Sequence, residues 1–317
     1  MKKILKFIGV LLLISMTFIS CDSKKYKNIS EKDSINVFVV DIKKDTMEEV
    51  FSKVFKKFEK KNSIKINTIY SKDKKVLDEI LNNEKIDLII SSRKNLVTLK
   101  EKGILKNLDF LVKENSIKDR FYDSFTLLGL KEESYYGIGV LPYTLEVIYN
   151  KGTITGVPDK KELKNKNITI PVILPEEVKL EEIYKLMDIK DEKIKEILYV
   201  GRKEELISIN NGEIPVAVIS SYYAKDIDKS RVSIFDYSKI YNYPIFIDGI
   251  MMVPERGNIN MEVFNLIKFA LSDEVQEEFS KEGLIGANKK VNEMFKGKYE
   301  EVIVNHIKKG IIYNIKE

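Results

Sequence analysis

The chain has one cysteine, one histidine and no tryptophan. A single thiol excludes a disulfide framework. One Cys with one His excludes a Cys/His zinc cage and a Cys–His nucleophile pair. Without Trp the usual indole platform for stacking a sugar is missing, which leaves that task to the 16 tyrosines. An excess of one charge is also lacking: 54 Lys and Arg stand against 49 Asp and Glu, for a net charge of +5, and the basic residues are scattered. A reader of nucleic-acid backbones concentrates its positive charge on one face, so no nucleic-acid partner is expected. Gly137-x-Gly139 lacks the third glycine of a dinucleotide fingerprint, and there is no repeat of solenoid length. What is present is ample apolar material: 44% of 317 residues are hydrophobic, enough for a sizeable core. At ~150 residues per domain, the length allows about two lobes.

The N-terminus reads as an export signal over residues 1–20. Lys2, Lys3 and Lys6 precede an apolar run from Phe7 to Ile19. That run has the length of a signal h-region and falls short of the ~20 residues that a bilayer-spanning helix needs. It ends Phe18-Ile19-Ser20-Cys21, and this junction resembles the lipobox of bacterial lipoproteins, with Phe18 where Leu is usual. The resemblance implies diacylation of Cys21 and a membrane-anchored lipoprotein facing the periplasm or the cell exterior. Residues 21–34 are Lys- and Ser-rich and read as the lipid anchor and a flexible tether.

From Ile35 the pattern alternates strand and helix. Ile35–Val40 is a buried β-branched run. Met47, Val50, Phe51, Val54, Phe55 and Phe58 then recur at the helical period. Ile64–Ile69 and Ile86–Ile90 read as strands, and Leu96–Gly103 as a short helix closed by glycine. Strands are expected at 136–141 and 146–149 around Pro142, and again at 168–174, 214–219, 232–235 and 250–253. Helices are expected from Tyr222, over 263–271 and through Val275 and Phe279. Alternation of this kind predicts an α/β fold with parallel pairing.

Several segments, in order, resemble the solute-binding proteins of bacterial ABC importers. Phe58-Glu59-Lys60-Lys61-Asn62-Ser63-Ile64-Lys65-Ile66 is similar to that family's "FEKxTGIKV" opening, and Ile86–Ser92 to its "PDVVxxS" strand. Gly103–Asp109 is similar to "GLLxPLD", and Tyr136–Tyr143 with Val147–Lys151 to "YGVPY…LYYNK". Asn211–Ala217 is similar to "xGEVxxAxx", and Phe264–Gln276 to "FINFLLSPEVQ". The resemblance implies a two-lobed Venus-flytrap fold of the type II periplasmic-binding-protein kind, each lobe a mixed, mostly parallel sheet flanked by helices. It implies lobe one at 35–145 plus 249–317 and lobe two at 146–248. It also implies capture of a small solute and delivery to an ABC permease driven by its ATPase, by a monomer that needs no cofactor and is not an enzyme.

In open α/β sheets a ligand sits beyond the carboxyl ends of the strands. The residues following strands are Asp41, Ser91, Ser92, Tyr143, Glu146, Tyr222, Tyr223 and Asp248. Asp41, Ser91 and Ser92 could equally cap turns or helices, and the tyrosines could pack. Phe246-Ile247-Asp248 is similar to the "WxD" of polyamine receptors, and Glu176 and Glu177 stand where that subfamily carries a ligand-binding acid. An ammonium between a carboxylate and an aromatic face is sound cation chemistry. A polyamine or similar cation is therefore the expected solute, although Arg93 beside Ser92 opposes it. The alternative ligands are a sugar, or ferric ion, since Ser221-Tyr222-Tyr223 resembles the paired tyrosines of ferric-ion receptors; in that case Tyr222 and Tyr223 bind metal, and otherwise none is expected. Two other classes compete. An exported hydrolase needs a nucleophile with a base, and His306, in a Lys-rich C-terminal helix, reads as solvated. A structural lipoprotein needs no cleft.

Overall fold

A computed structural model describes residues 34–40, 45–71, 86–114, 134–154, 172–173, 202–236, 243–255, 261–282, 284–294 and 298–312. The signal, the tether up to residue 33, Cys21, Asp41, Glu176 and Glu177 lie outside the described residues, whereas Ser34, read as the end of the tether, opens β1. The described strands are β1 (Ser34–Val40), β2 (Lys65–Ser71), β3 (Leu88–Ser91), β4 (Ile138–Tyr143), β5 (Leu145–Asn150), β6 (Val172–Ile173), β7 (Val216–Ser220), β8 (Val232–Ile234), β9 (Tyr243–Met252) and β10 (Gly310–Ile312). The helices are α1 (Asp45–Asn62), α2 (Arg93–Glu101), α3 (Asp109–Glu114), α4 (Arg202–Asn211), α5 (Met261–Ala270), α6 (Asp273–Lys281), α7 (Lys289–Asn292) and α8 (Lys298–Lys309).

The β-branched run of β1 lies inside a six-stranded sheet ordered β10–β9–β3–β1–β2, between β3 and β2, with β4 also on β9. β1 pairs parallel with β2 and β3, so Phe38 faces Ile69 on one side and Ile89 on the other. Parallel pairing of consecutive strands needs a crossover, and α1 supplies it. Its expected apolar stripe is buried at Val50, Phe51, Val54, Phe55 and Phe58. Phe51 meets Phe279 of α6 edge-on, centroids 6.0 Å apart, and Phe58 meets Phe269 of α5 at 5.5 Å. Along the solvent side of the same contact, Lys53, Lys57 and Lys61 face Glu282, Glu278 and Glu274, one helical turn apart in opposite directions. Lys281 and then Lys57 hold the Glu278 carboxyl below its ordinary value. The unfolded chain therefore takes up that proton first. The stabilisation is complete above the ordinary carboxylate range and is lost as pH falls through the folded value. These pairs are exposed, so each contributes little. Urea unfolding at pH 7 and pH 3, with and without added salt, measures the loss, and salt should erase most of it.

The second sheet is ordered β6–β7–β5–β8. A single residue, Thr144, separates β4 in the first sheet from β5 in the second. Pro142 lies within β4 opposite Ile247. It is tolerated because β4 pairs only with β9 among the described strands, so the missing N–H breaks no ladder on its other side. β9 runs back antiparallel to β3 and β4, and β5 runs antiparallel to β7 and β8, so both sheets are mixed. The antiparallel pairs all involve β9 or β5, strands that begin just after the chain changes sheet. One expectation is corrected here. β9 belongs to the first sheet from Tyr243 onward, so the return to that sheet comes before Tyr243 and not after Asp248. Sequence patterning found only the last residues of β9, because Pro244 and Asp248 break its apolar run.

Candidate interlobe site

The pairing register shows which residues share an edge. β1 and β3 are parallel, so Val40 and Ser91 end at the same border of the first sheet. Ser91 faces Ile250 on the antiparallel β9. One and two residues beyond that pair lie Gly249 and Asp248, with Asp248 opposite Leu141 and Phe246 opposite Tyr143. In the second sheet Leu145 at the start of β5 faces Ser220 at the end of β7. The carboxyl border of each sheet thus meets the other at Thr144. Ser91, Ser92, Tyr143, Phe246 and the backbone of Asp248 gather on the first border, and Glu146, Tyr222 and Tyr223 on the second. The side chain of Asp248 lies outside what the structure describes.

Aromatic rings fill the junction. Tyr143 stacks on Phe246, centroids 5.1 Å apart and planes 19° apart, and tilts against Tyr222 at 4.8 Å. All three are buried, as is Tyr223. Tyr222 is the second residue of a 3₁₀ turn, Ser221–Asp226, where the sequence predicts a helix. Its hydroxyl donates to the Leu141 carbonyl at 3.0 Å, a bond from the second-sheet segment to the first. A phenolate has no proton to donate, so metal binding through Tyr222 would break this bond. Tyr222→Phe should lower stability by ~1 kcal/mol, measured by urea unfolding, because the buried Leu141 carbonyl loses its donor.

The hydroxyl of Ser91 is likewise committed. It donates to the Val40 carbonyl at 2.9 Å and accepts from Asn95 Nδ2 at 2.7 Å. Any solute reaching Ser91 finds an acceptor there and not a donor. Ser92 sits at the N-cap of α2, buried, with no side-chain capping bond. Arg93 follows, half-buried, and desolvation lowers its guanidinium from the ordinary value.

Glu146 is not directed at a solute in this arrangement. One carboxylate oxygen accepts from the Thr144 hydroxyl, and the other lies 2.8 Å from His306 Nδ1 on α8. Both side chains are 1% exposed. His306 is therefore not solvated, contrary to the reading of α8 as a Lys-rich surface helix. The signal was present in the sequence: His306 lies three and four residues after Ile303 and Val302, on the buried stripe of α8. Thr144 was missed, and Ser221 was noticed only as the neighbour of the paired tyrosines. The Thr144 N–H donates to Ser221 Oγ at 3.1 Å, and its carbonyl accepts from the Ser221 N–H at 2.9 Å. No spacing rule signals a contact between residues 77 positions apart. Among the described residues no cluster of three or more His, Cys, Asp or Glu could hold a metal ion, and no helix is long and apolar enough to cross a membrane.

No protein-family model matches the chain, and no curated protein matches it by sequence. Solved structures do match in shape. The spermidine/putrescine ABC transporter substrate-binding protein PotD from Streptococcus pneumoniae superposes with a TM-score of 0.67 at 15% identity, over 89% of this chain and 93% of that one. The GacH receptor of Streptomyces glaucescens gives 0.66 at 14% identity, over 90% and 89%. The apo ferric ion-binding protein A of Pasteurella haemolytica gives 0.62 at 14% identity, over 87% and 95%. These likenesses span nearly the whole of each chain, and they agree with two mixed sheets joined at Thr144 and flanked by helices. The chain has the two-lobed α/β fold of type II periplasmic binding proteins.

Proposed function

We propose that this chain is the solute receptor of an ABC importer. It captures a small polar solute between the two carboxyl borders and, once closed, docks on a membrane permease whose ATPase supplies the energy. No chemistry is performed on the solute. The observation that carries this reading is the meeting of both strand borders at a one-residue crossing, with Tyr143, Tyr222 and Phe246 packed beside it. A crossing this short lets two lobes close on a ligand, and closure excludes water so that few polar contacts suffice. Export, and a lipid on Cys21 reached through residues 22–34, would hold a monomer beside its permease.

A polyamine or similar cation is the first solute to test. Its support is Asp248 two residues from Phe246 on the first border, the acceptor character of Ser91, and a similar structure described as a spermidine/putrescine transporter protein. Asp41, Glu177 and Tyr223 are the further proposed contacts. Arg93 favours a second reading, a solute that also carries a carboxylate, because it places positive charge one residue past Ser92.

Thermal unfolding of Asp22–Glu317 tests both. Putrescine, spermidine, γ-aminobutyrate, several sugars and ferric citrate are added separately. A ligand at 100 times its dissociation constant adds ~2.7 kcal/mol, a clear shift of the midpoint. We expect a polyamine to shift it and Asp248→Ala to abolish that shift. A shift with γ-aminobutyrate alone, lost in Arg93→Ala, transfers the site to the second reading. A ferric-only shift lost in Tyr223→Phe removes both. The receptor reading itself fails if X-ray scattering shows no compaction with any solute of a broad library.

A further inference from the structure

The C-terminal segment touches both sheets near both crossings. α8 follows α7, leans on β8 and β9, and continues into β10, which pairs parallel with the first residues of β9 from Tyr243 to Ile245. Those residues are the first described ones after the second crossing. On its way α8 makes two polar contacts with the other sheet's segments: Glu300 pairs with Lys229, and His306 with Glu146. His306 also has Asp236, just past β8, at 3.9 Å from Nε2.

The partners of Thr144 locate the bend. Its N–H and carbonyl bond Ser221, and its hydroxyl bonds Glu146. Every one of these partners belongs to second-sheet segments, so Thr144 travels with that sheet. The flexible point is then the Tyr143–Thr144 link, which the Tyr222–Leu141 bond spans from the side. As a carboxylate, Glu146 only accepts, so both the Thr144 hydroxyl and His306 Nδ1–H donate to it. Losing the His306 donor would leave one oxygen of the buried Glu146 unsatisfied and loosen the tie between α8 and the second-sheet segment that carries Thr144.

We propose that α8 and β10 form a third strap of the hinge, and that His306 is its positioning residue, fixing Thr144 through Glu146. This rests on the receptor reading for its purpose, since a hinge matters only if the lobes close. The geometry itself is independent of any solute. The strap would set how far the lobes part when empty, and so the share of molecules ready to bind.

Amide hydrogen exchange of the full chain tests it without a ligand. In His306→Leu, exchange across 143–148 should quicken about tenfold while β1 and β2 keep their protection. His306→Asn, whose amide can donate from nearly the position of Nδ1, should restore it. Equal exchange in wild type and His306→Leu overturns the proposal, as does uniform acceleration over the whole chain or failure of Asn to rescue. If His306→Leu does not fold, the double variant Glu146→Leu/His306→Leu decides, because both polar groups then leave together. Exchange across 143–148 should still quicken relative to β1 and β2, and exchange equal to wild type overturns the proposal. A chain that shows the tenfold change yet compacts with no solute overturns the receptor reading and leaves the strap standing.

Discussion

Replacing His306 by leucine should cost the fold about 1–3 kcal/mol, the usual penalty for leaving a buried polar group without its hydrogen-bond partner. Glu146 would keep only the Thr144 hydroxyl and remain 1% exposed, with no water to take the place of the imidazole. The matching change Glu146→Leu should be costly for a different reason, because it leaves the Thr144 hydroxyl and one imidazole nitrogen unpaired. The double variant should recover much of either loss, since both polar groups then leave together and an apolar pair fills the space. Urea unfolding of the four proteins closes the cycle. Strictly additive losses would mean that the pair does not interact across the strap. A large favourable coupling would place a stability-bearing contact between a C-terminal helix and the first crossing, 160 residues apart in sequence.

Gly249→Ala should be nearly as damaging, through the backbone. Gly249 has φ +63°, between Asp248 and Ile250 in β9. A non-glycine residue in that region costs about 1–2 kcal/mol. The added methyl would also meet Leu141 Cδ1 at 3.1 Å and Phe51 Cζ at 3.2 Å. Overpacking of this kind typically adds about 1–3 kcal/mol. The strand can relieve the strain only by rotating the neighbouring peptide, and that peptide carries Asp248. Gly249→Ala should therefore lower the unfolding midpoint and, in the solute panel, weaken any shift that depends on Asp248. A variant as stable as wild type would show that β9 accommodates a side chain there. By contrast Gly103, with φ +66° after α2, has nothing within 4 Å of a built methyl. Alanine there should cost only the backbone share, so the difference between the two variants isolates the packing.

Much of the fold was legible because it rests on local periodicity. The stripe of α1, the continuous apolar run of β1 and the glycine stop after α2 each follow from residues within one turn or one strand, and each is where the sequence puts it. The site was legible only in part. Ser91, Tyr143, Tyr222 and Phe246 could be chosen because they follow strands or stand beside an acid, and the register brings them to two facing borders. What those side chains do there could not be read. Glu146 and Tyr222 were candidates for a solute, and the structure instead commits them to His306, Thr144 and Leu141.

By itself the sequence determined the class of the chain: alternating strands and helices that favour α/β lobes. Composition also excluded disulfide and Cys/His metal chemistry outright. Those conclusions need only residue types and short spacings, where free energies are local. Tertiary structure alone decided the strand register within the sheets, the early return of β9, the Thr144–Ser221 contact and the partner of the one histidine. Each of these depends on which strand lies beside which, and hence on side chains tens to hundreds of residues apart sharing one core. A buried donor or acceptor must find its partner wherever the fold brings one, and no run of neighbouring residues records where that will be.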